Sequence, residues 1–221
     1  MSSDQSEGIF SQSLLEEVER IYDKADPAHD FSHILRVYRN AKKIGQAEGA
    51  DMQVLLLAAL LHDALEGSKN PCSSLIDLDQ KSRRGEVVRS FLDRTGISEE
   101  RKEEVLYAVS VHRFSLGIKP ETLEAKILQD ADRLDALGAV GIARTFMTGG
   151  TLNRAFYCPK DPFCKAREPD DGKWNLDHFY RKLLRLESEM HTRTGKEMAG
   201  RRADVLRGYL QDLKEEIGED L

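Results

Sequence analysis

Apolar residues recur at three- and four-residue spacing along most of this 221-residue chain, the period of amphipathic helices. Leu14, Leu15, Val18, Ile21 and Tyr22 form a first stripe, which "DPAHD" interrupts at Pro27. Ile34, Val37, Ala41 and Ile44 form a second. Gly49 and Asp51 then punctuate, and a helix is expected from about Met52 to Glu66. Its stretch from Val54 to Leu61 is apolar at every position, as in a helix buried on all sides. "EGSKNPCSS" reads as a loop. Val87, Val88, Phe91 and Leu92 continue as a helix stopping near Gly96, and Ser98 with Glu99 and Glu100 opens another through Val105, Leu106, Ala108 and Val109. A further helix is predicted from Pro120 to about Leu137, with Ile127, Leu128, Ala131 and Leu134 facing inward. Two more close the chain, from about Leu176 to Thr194 and from Gly195 to about Ile217.

The segment from Gly149 to Asp177 breaks this rhythm. It carries Pro159, Pro162 and Pro169, has few periodic apolar positions, and reads as a long irregular excursion before the last two helices, suited to a lid or a site wall. Strand signals are weak, and neither a Gly-rich phosphate loop nor an internal repeat appears. The expected fold is therefore all-α. No Pro/Gly/Ser-rich linker divides the chain, so a single domain over 1–221 is expected, its core at about 26–217.

Charge adds an exclusion. The net charge of −6 argues against non-specific binding to nucleic acid or membrane, while leaving room for a local basic pocket that takes an anionic substrate. The N-terminal "MSSDQSEGIF" lacks a basic start and an apolar core, and the longest apolar run is too short to span a bilayer, so a cytoplasmic location is expected. The odd set Cys72, Cys158 and Cys164 fits reduced thiols and matches no common zinc spacing.

The candidate chemistry begins where the most apolar helix ends, at His62 and Asp63. Burying an imidazole and a carboxylate is costly unless something satisfies them, and a metal ion would. Three other polar residues interrupt apolar faces: His33 in "HDFSHILRV", Asp132 in "ILQDADRLDALG" and His112 in "AVSVHRFS". Neighbouring helical residues project about 100° apart, so His62 and Asp63 reach one ion only at the helix flank, with other elements completing the shell. His33, His62, Asp63 and Asp132 offer two imidazoles and two carboxylates. That shell suits an octahedral divalent ion with open water positions better than a closed thiolate zinc site. Asp130 and Asp135 are rivals to Asp132, but helical phase places both on exposed faces.

His33, the His62-Asp63 doublet and Asp132 in "DADRL" resemble the H…HD…D pattern of the HD-domain metal-dependent phosphohydrolases. "LLHD", "ILQDADRLDALGAVGIAR" and "HFYRKLLRLESEMHTRTG" extend the likeness toward small single-domain nucleotide pyrophosphohydrolases, from about Asp26 to near the C-terminus. The resemblance implies an all-α fold and a metal-activated water, with Mn2+ the leading cofactor and Mg2+, Co2+, Ni2+ or Fe2+ as alternatives. It also implies a catalytic acidic residue at Glu66, which accepts a proton from the attacking water or orients it, with Asp63 sharing this work. Substrate contacts are expected from Lys69, His112, His29, Arg144 and Lys182. The acid-to-lysine spacing in "EGSK" is one residue longer than expected for close relatives.

Simpler roles compete for several of these residues. Asp132 could pair with Arg133, Glu66 could be a helix-end carboxylate, and His112 could make only a structural hydrogen bond. His178 and His191 suit packing or solvated roles; Arg201 and Arg202 suit a surface helix. The reading that fits best is hydrolysis of a nucleoside triphosphate to monophosphate and pyrophosphate. A nucleoside 5′-monophosphatase, a phosphodiesterase or alarmone hydrolase, and a non-catalytic nucleotide-binding regulator are the alternatives. Oligomeric state, a homodimer included, is left open.

Overall fold

A computed structural model describes residues 12–22, 31–64, 83–113 and 117–218. The described residues are helical with no strand; a lone β-bridge joins Ala155 and Trp174. The helices are α1 Gln12–Ile21, α2 Phe31–Glu48, α3 Met52–Leu61, α4 Arg83–Arg94, α5 Glu99–Val111, α6 Leu123–Asp135, α7 Gly138–Thr151, the short α8 Leu184–Leu186 and α9 Arg193–Ile217. None is long and apolar enough to cross a membrane.

The uniformly apolar α3 is the centre of the molecule. Its residues from Val54 to Leu61 are all buried, enclosed by α2, α5 and α6. Asp51 starts it by accepting hydrogen bonds from the backbone N–H groups of Gln53 and Val54, two of the donors that a helix start leaves without partners. Gly45 lets α2 approach closely: a Cβ there would lie 2.4 Å from Leu55 Cδ2. At the far end Tyr22 donates its hydroxyl proton to the Leu60 carbonyl, 2.9 Å away.

α3 is shorter than the predicted Met52–Glu66. It gives way at His62 to a turn in which the Ala64 N–H bonds to the Leu61 carbonyl at 3.0 Å. His62 itself keeps right-handed helical dihedrals, φ of −57° and ψ of −40°, so its side chain projects as from the last residue of the helix. The predicted stops at Gly96 and starts at Ser98 hold, with Ser98 capping α5.

Two other elements differ from expectation. The glycine-rich "GAVGIARTFMTGG" gave no helical reading, yet it forms α7. Gly138, with φ of +70°, turns the chain from α6 into it within two residues, a conformation that favours glycine. The single helix predicted from about Leu176 to Thr194 is instead broken into a π-helical turn Phe179–Leu183, α8 and a 3-10 turn Glu187–Glu189. The chain then starts afresh at α9, capped by Thr192. The excursion is irregular as predicted. It is pinned by the buried Asp177, which accepts from both terminal nitrogens of Arg167 at 2.5 and 2.7 Å. Cys158 and Cys164 within it are free thiols; Cys72 lies outside the described residues.

Candidate metal centre

Four elements converge at the end of α3. α2 supplies His33, the turn after α3 supplies His62 and Asp63, α5 ends at His112, and α6 supplies Asp132. His33 Nε2 lies 3.3 Å from His62 Nε2, 3.5 Å from Asp63 Oδ2 and 3.5 Å from Asp132 Oδ1; His62 Nε2 is 3.5 Å from Asp63 Oδ2. One ligand atom each from His33, His62 and Asp132 falls within 4.8 Å of the others. Asp63 is outside that trio but within reach of both imidazoles. Ligands about 2.1 Å from one octahedral ion sit roughly 3 to 4 Å apart, so these spacings fit a common cation.

Local bonding decides which ring nitrogens are available. His62 Nδ1 donates to the Ala59 carbonyl at 2.9 Å, which leaves the Nε2 lone pair pointing at its neighbour. His33 Nδ1 donates to Asp135 Oδ2 at 2.7 Å, so its Nε2 lone pair points back. Two lone pairs 3.3 Å apart repel unless a proton or a cation lies between them. Asp63 Oδ2, aimed at the same point, is buried and makes no hydrogen bond. Leaving a charged acceptor orphaned is expensive, and a cation would settle it together with the two imidazoles. Asp132, 28% exposed, is the most open of the four and marks the side facing solvent.

Without an ion, a proton takes this place. Burial disfavours a charged His33, but Asp135, Asp63 and Asp132 outweigh it and raise its pKa to about 9. Burial dominates at His62 and lowers its pKa, so the two facing rings divide the roles of proton holder and lone-pair donor. Burial also works against the Asp63 charge, yet His62, His112 and His33 together hold its carboxyl well below the usual range.

His112 joins the cluster from the other side. It is buried, its Nδ1 donates to the Val109 carbonyl at 2.6 Å, and its Nε2 sits 3.5 Å from Asp63 Oδ1. Burial opposes its charge, but Asp63 prevails and raises its pKa. His112 therefore faces the carboxylate oxygen that does not face His33 and His62. Arg144 donates to Asp135 at 2.5 Å and lies 3.2 Å from His33 Nδ1, at the outer edge of the cluster. Lys182 stands on the π-helical turn beside His178. Glu66, Lys69 and His29 lie outside the described residues.

Helical phase placed Asp130 and Asp135 on exposed faces; both are buried, at 0% and 1% exposure. The reason is packing on more than one side of α6, against α2, α3, α5 and α9. Asp130 accepts from the backbone N–H groups of His191 and Thr192 at 2.8 Å each and from the Thr192 hydroxyl at 2.7 Å. Arg202, predicted on a surface, is half-buried; it donates to Asn40 Oδ1 at 2.9 Å and to the Leu134 carbonyl. The signal that could have exposed these residues was the charge density of "QDADRLD" inside an apolar helix.

A family model for the HD domain matches residues 30–137, the span that contains all of His33, His62, Asp63 and Asp132. The chain is 32% identical over 204 residues to the uncharacterized protein YpgQ of Bacillus subtilis, covering 90% of each. The crystal structure of that protein in complex with ADP superposes with a TM-score of 0.70, covering 92% of this chain and 93% of the other. An HD-superfamily hydrolase from Bacillus thuringiensis gives 0.69 at 32% identity, covering 92% and 94%.

Proposed function

Because the chain belongs to the HD-domain superfamily, we propose that it is a divalent-metal-dependent phosphohydrolase whose substrate is a nucleoside triphosphate, cleaved to monophosphate and pyrophosphate. The observation that carries this reading is the inward-facing set at the end of α3: two imidazole Nε2 atoms 3.3 Å apart, with a buried Asp63 oxygen that makes no hydrogen bond 3.5 Å from each. The ADP bound to the relative in Bacillus subtilis supports a nucleotide as the substrate class.

His33, His62, Asp63 and Asp132 would hold the ion, a mixed nitrogen and oxygen shell that suits an octahedral divalent metal, with Mn2+ the leading ion by resemblance. When bound, such an ion makes a nearby water more acidic by several units and offsets charge on a phosphoryl oxygen. The chain supplies the rest. His62 Nδ1, bound to the Ala59 carbonyl, fixes which nitrogen faces the centre. His112 Nε2, 3.5 Å from Asp63 Oδ1, occupies that side of the carboxylate and leaves Oδ2 as the oxygen that faces the two imidazoles. The open flank at Asp132 is where a phosphate would approach. Glu66 is assigned the proton from the attacking water by resemblance, and Lys69, His29, Arg144 and Lys182 the substrate's negative charge.

Purified protein supplied with Mn2+ should release pyrophosphate and a monophosphate from at least one nucleoside triphosphate in a panel of mono-, di- and triphosphates. Orthophosphate released only from monophosphates would overturn the reaction type in favour of a monophosphatase. Nucleotide binding with no product from any substrate would overturn catalysis in favour of a regulator.

A further inference from the structure

We infer that Asp135 is a positioning residue: it locks His33 in the tautomer that turns Nε2 toward the ion, and is itself held in place by Arg36 and Arg144. This rests on the metal reading above and adds a residue whose action runs through His33.

The carboxylate is enclosed by donors. His33 Nδ1 donates to Oδ2 at 2.7 Å, Arg36 donates through Nε to Oδ1 at 2.7 Å and through Nη2 to Oδ2 at 3.0 Å, and Arg144 Nη1 donates to Oδ2 at 2.5 Å. Arg36 comes from α2 and Arg144 from α7, so two helices orient a carboxylate borne on a third. Asp135 cannot be a ligand to the same ion, because it meets His33 at Nδ1, the nitrogen on the other side of the ring from the centre. A carboxylate on the outer nitrogen of a metal-facing imidazole fixes the ring's orientation and raises its basicity.

The placement on α6 gives the arrangement its economy. Asp132 and Asp135 are three residues apart, neighbours on one helical face. Asp132 Oδ1 approaches Nε2 of His33 while Asp135 Oδ2 approaches Nδ1. One turn of helix thus holds both nitrogens of the same imidazole and sets its angle to His62. A structural ion pair among Arg36, Asp135 and Arg144 would need neither the contact to Nδ1 nor the burial of Asp135 against the ring.

The test measures Mn2+ binding to metal-free protein by electron paramagnetic resonance of the free ion, for the parent and for Asp135→Asn, with melting temperature as a parallel readout. Asp135→Asn should weaken Mn2+ binding about 10- to 100-fold. A parent chain that binds no Mn2+ overturns the metal reading itself. A parent that binds, with a variant of equal affinity, overturns only the role of Asp135, and a lower melting temperature at unchanged affinity marks it as structural. If Asp135→Asn does not fold, the parent settles the matter. Nitrogen-15 NMR of the Zn2+-loaded protein should find His33 protonated at Nδ1 and coordinated through Nε2. Coordination through Nδ1 would overturn the inference.

Discussion

Two buried carboxylates serve as ends of the same core, and they are finished in opposite ways. Asp130, on α6, receives three hydrogen bonds from His191 and Thr192, and the Thr192 hydroxyl in turn accepts the Gly195 N–H at 2.9 Å to cap α9. Nothing is left for a ligand to do there. Asp63, at the end of α3, has one oxygen against His112 and another buried with no hydrogen bond, facing two imidazole nitrogens. A closed carboxylate holds elements together; an open one among lone pairs is a place for a cation. Burial alone does not distinguish them, since both are below a tenth exposed.

Matched isosteric substitutions break the comparison most sharply. Asp63→Asn should reduce both Mn2+ affinity and hydrolysis by more than the ~10- to 100-fold typical of losing an outer partner of a ligand. Calorimetric titration and a product assay read the two losses together. Hydrolysis that persists without Mn2+ would sink the assignment. Asp130→Asn should do the reverse. Its amide nitrogen would face donors where a carboxylate oxygen stood, costing about 2–3 kcal/mol of stability by denaturant unfolding. The folded fraction should keep its Mn2+ affinity within a few-fold.

The open site was the more legible of the two in sequence. His62 and Asp63 end an apolar run of eight residues, and no other pair in the chain interrupts such a stretch. The proposed ligand positions follow from that anomaly and the resemblance together. The closed site was illegible because its partners are two backbone N–H groups and one hydroxyl some 60 residues away, and nothing near Asp130 in sequence announces them. Asp135 was misplaced for a related reason: phase on one helix says which face is polar, not that α2 and α7 will cover that face with arginines. Helices with strong apolar stripes were found to within a few residues. α7 was missed because its glycines lower helix propensity, which packing against α9 overrides. The break between Leu176 and Arg193 was missed because Asp130, distant in sequence, organises the restart at Thr192.

A pH series sharpens the distinction between proton and ion at the open site. The pKa of His33 is raised from 6.5 in the unfolded chain to about 9 in the folded, metal-free protein. The folded state therefore holds its proton more tightly, and the associated stability is fully present below 6.5. It is lost as pH rises through about 9. Metal-free protein should melt several degrees lower at pH 9 than at pH 6.5. With saturating Mn2+ the decline should flatten, because binding displaces the same proton. Scanning calorimetry at four pH values, with and without the ion, gives both slopes. Equal slopes would mean that ion and proton do not compete for one position.

The smallest effects test the closed site through α9 alone. Gly195 packs where a Cβ would lie 2.4 Å from Asp130 Oδ2 and 2.7 Å from Thr192 Oγ1. Gly208, on the same helix, has nothing within 4 Å of its Cβ position. Replacing glycine by alanine inside a helix is worth up to about 1 kcal/mol in propensity, and at Gly208 nothing opposes that gain. Gly208→Ala should therefore raise the melting temperature slightly. At Gly195 the same gain is outweighed. The new methyl must push the carboxylate or the hydroxyl out of their bonds, and overpacking of this kind costs about 1–3 kcal/mol. Gly195→Ala should lower the melting temperature by a few degrees while leaving Mn2+ affinity where it was. Two substitutions of one type in one helix would then differ in sign. If Gly195→Ala were as stabilising as Gly208→Ala, the Asp130 network would have room to spare, and its contrast with the centre at Asp63 would lose its physical basis.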